Sequence, residues 1–207
     1  TEIYTLSLHD ALPIFNNFDG KDPVVFDVDE GPRPGSTVEA LGALRASFKT
    51  GGSVTPGNSS QVSDGAAAVL LMSEDALKKS GLTPMARFVD FRVAGCGPEI
   101  MGIGPAYAIP KLFAATGKSD ADIGFYELNE AFAAQSLAVL DQLKGVVDPA
   151  KVNPNGGAIA FGHPLGCTGA KLAVQSVYEM KRIGAKYSIV SMCIGGGMGA
   201  AGLLENL

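Results

Sequence analysis

Three side chains at the ends of apolar segments could take part in acid–base chemistry. Asn129 follows the strand-like run Phe125–Leu128, and its carboxamide could fix a water or donate to a developing oxyanion. His163 lies in a glycine-rich loop, where an imidazole can serve as acid or base near neutral pH. Cys193 precedes three glycines, and the ordinary thiol pKa of about 8.5 suits proton transfer. Their residue types indicate chemistry that moves protons and stabilises negative oxygen.

Each of these residues also has a plainer interpretation. Asn129 could be a helix N-cap, because asparagine is among the best residues there. His163 could be a surface-loop histidine, and Cys193 a small buried hydrophobe. The polar loop 57–61 (GNSSQ) could let a ligand chain pass over it or could be an ordinary turn. The local patterns leave both interpretations open at every position.

The composition excludes several classes of function. The 207 residues carry a net charge of −5 with no basic stripe, which argues against a nucleic-acid partner. The three cysteines are odd in number and lack C-x-x-C spacing, so we expect a reducing compartment and no disulfide framework. Two histidines without clustered ligands argue against a metal site. No apolar run approaches the roughly 20 residues of a membrane span, and neither a signal peptide nor a peroxisomal signal is evident, so we expect a cytoplasmic protein.

The elements that must position these residues alternate along the chain. Apolar runs predict strands over 24–28, 66–72, 87–94, 123–128, 187–194 and 199–204. Helical patterns begin near Ser36 or Thr37 and continue past Phe48, begin again at Ser73, and occupy the stretch before Thr116, 130–143 and 168–183. We therefore expect an α/β fold with the order β-α-β-α-β-α-β-β, a mixed, mostly parallel, five-stranded sheet covered by helices.

The first 14 residues fit poorly with the rest of the chain. They resemble the translated read-through of a sequencing adapter, and we interpret 1–14 as a leader without a role in the fold. The alternative is a genuine strand and turn. The rest divides into residues 15–85, which end one domain and its loop region, and residues 86–207, which form a second domain.

The combination of motifs is more specific than any one of them. N-E-A-F at 129–132 is followed by G-G-A-I-A-F-G-H-P-L-G at 156–166 and by C-I-G-G-G at 193–197. The segments 57–68 (GNSSQVSDGAAA) and 98–106 (PEIMGIGPA) add to the pattern. Together they resemble the thiolase family, closest in style to degradative 3-ketoacyl-CoA thiolases, from about Val24 to Leu204.

The resemblance implies the C-terminal half of a duplicated thiolase-like fold. It also implies an acyltransferase reaction: reversible thiolytic cleavage or Claisen condensation of 3-ketoacyl-CoA with CoA, with CoA as substrate, no cofactor and a homodimer or homotetramer as the assembly. The implied catalytic residues are His163, Cys193, Asn129 and Gly195. The implied substrate contacts are Ser60 for the pantetheine and Met101 and Phe132 for the acyl pocket.

One part of the family pattern is missing from these 207 residues. The acylated cysteine of thiolases lies in a C-S-S-G-like segment that does not occur here, and Cys96 and Cys167 lie in other contexts. We therefore expect the chain alone to be inactive. A decarboxylating ketoacyl synthase would carry two histidines in this half. A non-catalytic thiolase-like binding module or a truncated inactive fragment is the remaining alternative, although a module that only binds has no need of Asn129, His163 and Cys193 together.

Overall fold

The structure is a computed structural model, and it describes residues 2–5, 14–16, 24–26, 31 and 33–207. The strands are β1 (Glu2–Thr5), β2 (Ile14–Asn16), β3 (Val24–Phe26), β4 (Val69–Met72), β5 (Ala86–Gly95), β6 (Phe125–Leu128), β7 (Tyr187–Ile194) and β8 (Met198–Asn206). The helices are α1 (Val38–Gly42), α2 (Glu74–Ser80), α3 (Gly104–Thr116), α4 (Ala133–Gln142), α5 (Ala158–Phe161) and α6 (Thr168–Ile183).

The main sheet is mixed, as predicted, with the strand order β4-β1-β5-β8-β7-β6. The expectation of a mostly parallel sheet is wrong: among the described strands, only β6 and β7 pair in parallel. A tight turn returns β8 antiparallel to β7, and β8 then pairs antiparallel with β5. The sheet has six strands instead of five, because β1 lies between β4 and β5, while β3 pairs with β2 outside it.

Helices cover both faces of the sheet. On one face, α3 and α4 pack against alternate residues of the strands, including Tyr126, Leu128, Ile189 and Leu203. On the other face, α6 packs against the residues between them, including Phe125, Val190 and Leu204. This alternation follows from the two-residue period of a strand. The arrangement confirms the predicted helix-covered α/β fold, and it places Glu127 on the face that meets α6.

Part of the face beside α6 is open. A register shift between Phe88 and Asp90 brings Phe88 and Phe91 over Gly202 on the same side of the sheet. These rings stay partly exposed, and with residues of α6 and β4 they line an apolar cavity of about 450 Å³. The cavity lies next to α6, so one flank of that helix lacks apolar cover among the described residues.

Several predicted helix ends are confirmed and others are wrong. Thr37 and Ser73 are N-caps that accept from the N–H groups of Ala40 and Ala76. The helix predicted to continue past Phe48 already ends at Gly42.

The leader prediction for residues 1–14 stays a prediction: the backbone of Glu2–Thr5 forms a strand, and residues 6–13 lie outside the described part. No helix within the described ranges has the length and apolar character to cross a lipid bilayer.

Candidate active site

Two parallel strands bring Asn129 close to the end of β7. The Asn129 N–H donates to the carbonyl of Ser191 over 2.9 Å, and Cys193 lies two residues further along β7. In α/β folds the carboxyl ends of parallel strands form the ligand crevice. Helix α4 begins at Ala133 with Phe132 as its N-cap, so Asn129 is not the cap of this helix. Its carboxamide is therefore available for another contact.

That contact is with the imidazole of His163. Asn129 Nδ2 lies 3.3 Å from His163 Nε2, and Asn129 itself is 2% exposed. The other ring nitrogen, Nδ1, lies 2.6 Å from the hydroxyl of Thr168, the first residue of α6. The ring of His163 is thus held between the strand-end asparagine and the start of a helix. This geometry replaces the interpretation of His163 as an unconstrained surface-loop residue.

The hydrogen bonds of Thr168 assign the tautomer of His163. The Thr168 hydroxyl donates its one proton to the carbonyl of Pro164 over 3.0 Å. It therefore accepts from His163, and the proton of the neutral ring is on Nδ1. Nε2 then carries the free lone pair and accepts from the Asn129 amide. An unprotonated Nε2 is the form that a general base requires.

Burial and charge both favour the neutral imidazole. Desolvation lowers the pKa of His163 below its ordinary value, and the nearby ammonium of Lys171 lowers it further. On the other side of the pair, the buried Asn129 Oδ1 has no hydrogen-bond partner among the described residues. A buried acceptor of this kind is usually satisfied by an ordered water. The site thus pairs a neutral base with an acceptor suited to a water molecule.

Cys193 and Gly195 are held at the hairpin between β7 and β8. Gly196 and Gly197 adopt positive φ angles of +89° and +95°, which L residues with a side chain rarely adopt. The carbonyl of Gly197 accepts from the Cys96 N–H over 2.8 Å, which ties the turn to the end of β5. Burial raises the pKa of Cys193, and the neighbouring Cys96 thiol raises it further. The Cys193 thiol therefore keeps its proton to a higher pH than an ordinary thiol does.

The predicted substrate contacts lie around this edge. The Ser60 N–H donates to the carbonyl of Ala131 over 2.9 Å, and isolated bridges join Ser59 to Phe132 and Val62 to His163. The loop that carries Ser60 is thus placed between the N-E-A-F segment and the histidine loop. The half-buried ring of Phe132 packs edge-on against Phe48, with 6.1 Å between centroids.

The remaining predicted contact, Met101, lies in a 3₁₀ turn, Pro98–Ile103, directly after the Cys96 segment. It is half-buried there, and its carbonyl accepts from the Gly104 N–H at the start of α3. The Cys96 N–H donates to Gly197, so the segment that leads into the turn carrying Met101 is tied to the hairpin after Cys193.

Four residues near the site were not predicted from the sequence: Thr168, Glu127, Glu130 and Lys171. Thr168 is the first residue of α6 in the sequence G-C-T-G-A, where a hydroxyl usually indicates a helix cap instead of a histidine partner. Glu127 is 1% exposed and accepts from Gln175 Nε2 over 3.3 Å. Burial raises the pKa of Glu127 to about 7, the Glu179 carboxylate adds to this, and Lys171 opposes it.

Comparison with known families identifies the family of the chain. The family model described as "Thiolase, C-terminal domain" matches residues 82–206, and "Thiolase, N-terminal domain" matches residues 8–75. The second match begins inside the predicted leader. Since the C-terminal model alone covers more than half of the residues, the chain belongs to the thiolase family.

Relatives show the same affiliation. The 3-ketoacyl-CoA thiolase of Bacillus subtilis is 54% identical over 181 residues, which are 87% of this chain and 46% of that protein. The chain thus spans less than half the length of this curated relative.

Among solved structures, Bacillus anthracis acetyl-CoA acetyltransferase has a TM-score of 0.86 at 47% identity, covering 95% of this chain and 49% of that one. Human mitochondrial 3-ketoacyl-CoA thiolase in complex with CoA has a TM-score of 0.80 at 46% identity, covering 88% and 46%. The dimeric peroxisomal thiolase of Saccharomyces cerevisiae has a TM-score of 0.82 at 48% identity, covering 95% and 48%.

Proposed function

We propose that the protein to which this chain contributes is an acyl-CoA C-acyltransferase that cleaves 3-ketoacyl-CoA with CoA, or runs the reverse Claisen condensation, in fatty-acid β-oxidation or a related pathway. One observation carries the proposal. The buried Asn129 presents an unsatisfied Oδ1 beside His163, whose Nε2 is the unprotonated nitrogen of the ring. Making or breaking a C–C bond beside a thioester needs a nucleophile, a proton shuttle and sites for negative oxygen. This chain supplies all of these except the nucleophile.

His163 acts first as the base of the proposed reaction. Its Nε2 takes the proton of the attacking cysteine thiol, which is contributed by the other half of the fold. The same nitrogen, now protonated, donates a hydrogen bond to the oxygen of the thioester or ketone as negative charge develops there. The tautomer imposed by Thr168 and the lowered pKa of His163 support this order of events.

Asn129 and Gly195 complete the two oxyanion sites. The Asn129 Oδ1 accepts a hydrogen bond from a water molecule. That water donates its second hydrogen bond to the thioester oxygen. The N–H of Gly195, in the turn after Cys193, donates to the second oxygen. Donors fixed by the fold before the reaction begins need no reorganisation when charge develops.

Cys193 transfers the proton at the α-carbon of the substrate. During cleavage its thiol protonates the α-carbon of the departing enolate, and the resulting thiolate then takes the proton of the incoming CoA thiol. A raised pKa suits this role, because the thiol must hold a proton at neutral pH until the enolate forms.

The remaining contacts bind the substrate. In this proposal Ser60 contacts the pantetheine chain, and Met101 and Phe132 line the acyl pocket; the position of the Ser60 loop beside Ala131 and His163 supports the first assignment. Residues 15–85 belong with the N-terminal half and 86–207 form the C-terminal half. We further infer a homodimer or homotetramer. The three free cysteines support a reducing, cytoplasmic location.

The test restores the missing nucleophile. The part of the Bacillus subtilis relative that precedes its matched region is joined to residues 24–207, and cleavage of acetoacetyl-CoA by CoA is measured. We expect turnover by the joined protein, none by the 207-residue chain, and a loss of roughly 10²- to 10⁴-fold in the joined protein with His163→Ala. A joined protein that folds and binds CoA but does not cleave acetoacetyl-CoA would favour a non-catalytic binding module. Turnover by the 207-residue chain alone would contradict the proposal.

A further inference from the structure

The turn that carries His163 into the site is attached at its beginning to the N-E-A-F segment. This histidine turn consists of residues 157–163 and includes α5. Glu130 accepts a hydrogen bond from the Ile159 N–H at the start of α5, with 3.2 Å to Oε2. A Cβ at Gly157 would lie 2.5 Å from the same carboxylate oxygen, so only glycine lets the backbone approach this closely. Glu130 therefore holds the N-terminal end of the histidine turn, which is the end farther from His163.

The other end of the histidine turn is held from α6. Lys171 Nζ lies 3.5 Å from the carbonyl of Gly162, the residue before His163, and 5.5 Å from the centroid of the Phe161 ring. Both contacts suit an ammonium group, which donates to carbonyls and is attracted to aromatic faces. Lys171 lies one turn after Thr168 on the same helix, so α6 holds both the ring of His163 and the backbone that precedes it.

We propose that Glu130 and Lys171 are positioning residues that clamp the histidine turn from two separate elements. Because the Lys171 ammonium lies against the backbone next to His163, it also adds to the effect of burial in disfavouring the charged imidazole. The carboxylate contacts the backbone at the start of α5, and the ammonium contacts the backbone just after its end. In the proposed function neither residue contacts the substrate. They act through His163, and their role in catalysis therefore rests on the proposed function.

Among the described residues, the other charged groups near the turn include Arg182, Asp64 and two carboxyls on neighbouring elements. Glu127, at the end of β6, faces α6 and interacts electrostatically with Lys171. Glu179 is two turns further along α6 and is paired with Arg182 by two bonds of 2.7 Å. Burial lowers the pKa of His163, and the Lys171 ammonium lowers it further.

The first test uses the fact that the chain has two histidines, His9 and His163. With ring-labelled histidine, both titrations are followed by NMR in the 207-residue chain. We expect Lys171→Met to raise the pKa of His163, Lys171→Arg to leave it close to that of the parent chain, and the matched exposed control Lys181→Met to leave it unchanged. An unchanged His163 titration in Lys171→Met would overturn the electrostatic role.

The second test separates positioning from simple stabilisation. Glu130→Gln keeps an oxygen that accepts from the Ile159 N–H, whereas Glu130→Ala removes it. We expect faster amide exchange at Ile159 and a shifted His163 ring resonance in Glu130→Ala, with both restored in Glu130→Gln. If Glu130→Ala and Glu130→Gln gave the same spectra and the same urea midpoint, the positioning role of Glu130 would be refuted.

The catalytic consequence is measured in the joined protein. We expect Glu130→Ala and Lys171→Met to lower kcat by roughly ten- to a hundred-fold, since small misplacements of a catalytic group have effects of this size, while KM stays within about two-fold. A change in KM alone would refute the positioning role. The NMR tests do not depend on turnover, so failure of the proposed function and failure of the clamp remain distinguishable.

Discussion

The Thr168 hydroxyl accepts a hydrogen bond from His163 Nδ1 over 2.6 Å because its own proton is already given to the Pro164 carbonyl. One polar group at the start of α6 therefore decides which nitrogen of the imidazole carries the proton. The carbonyl that receives the Thr168 proton belongs to the residue next to His163. The hydrogen bonds from His163 to Thr168 and from Thr168 to Pro164 thus hold both the ring and the backbone that follows it.

The first prediction concerns this tautomer. Thr168→Val keeps the shape of the side chain but removes the acceptor, so the preference for a proton on Nδ1 should be lost. We expect the ¹⁵N shifts of the His163 ring to move toward the Nε2-protonated form in Thr168→Val and to stay near those of the parent chain in Thr168→Ser. Ring shifts in Thr168→Val equal to those of the parent chain would show that Thr168 does not select the tautomer.

The second prediction distinguishes the two proposed acid–base groups. In the joined protein, His163→Ala should slow formation of the acyl-enzyme itself, because both activation of the nucleophile and support of the thioester oxygen are removed. Cys193→Ala should retain some acylation but reduce C–C bond cleavage by roughly 10²- to 10⁴-fold. Trapping with labelled acetyl-CoA measures the first step, and thiolysis of acetoacetyl-CoA measures the second. Normal acylation by His163→Ala together with none by Cys193→Ala would reverse the two roles.

The third prediction concerns the thiol of Cys193. Only the thiolate reacts with iodoacetamide, and burial raises the pKa of Cys193. The alkylation rate at Cys193, followed by mass spectrometry, should therefore rise at a higher pH in the folded chain than in the chain unfolded by urea. Cys96→Ser should lower that pH, because the neighbouring thiol contributes to the shift. The same alkylation profile with and without urea would exclude a perturbed thiol.

The fourth prediction concerns the buried carboxyl of Glu127. Its pKa is about 7 in the folded chain against an ordinary value of 4.5, so between these values the folded state binds more protons than the unfolded state. Its contribution to the free energy of unfolding therefore falls as the pH rises from about 4.5 to about 7. The loss is on the order of 3 kcal/mol by linkage.

Glu127→Gln should remove this loss. Urea unfolding at pH 5 and pH 8 should show that the variant gains stability relative to the parent chain at the higher pH, whereas the exposed control Asp141→Asn should not. An equal difference between Glu127→Gln and the parent chain at both pH values would show that Glu127 is ionised throughout.

The sequence predicted the alternating elements better than it predicted the pairing of strands. Val190 and its neighbours form an apolar run that is readable as a strand, and Ser73 is readable as a cap. The direction in which strands pair depends on contacts distant in sequence, such as Gly95 with Met198, which local patterns do not contain. The prediction of a mostly parallel sheet failed for this reason.

The site was predictable only in part, for a similar reason. Asn129, His163 and Cys193 are recognisable because their flanking glycines and strands are local features. The partners that orient His163 are not local: Glu130 is 33 residues before it, and the role of Thr168 depends on the path of the turn at Pro164. Thr168 and Lys171 also look like ordinary residues of an amphipathic helix. Their contacts with the histidine turn become visible only when the hydrogen bonds are known.

The backbones of Gly104 and Gly199 lie in direct contact, where α3 begins and β8 leaves the glycine turn. A Cβ on either residue would collide with main-chain atoms of the other, which have no rotamer through which to yield. A single methyl group at Gly104 would thus wedge α3 away from the hairpin that carries Cys193, 89 positions later in the sequence. Such a variant should lose activity in the joined protein, although the altered residue is none of the proposed catalytic groups. Genetic screens that rank residues by lost activity should place this glycine pair among the catalytic groups, and only a structural readout would separate the two.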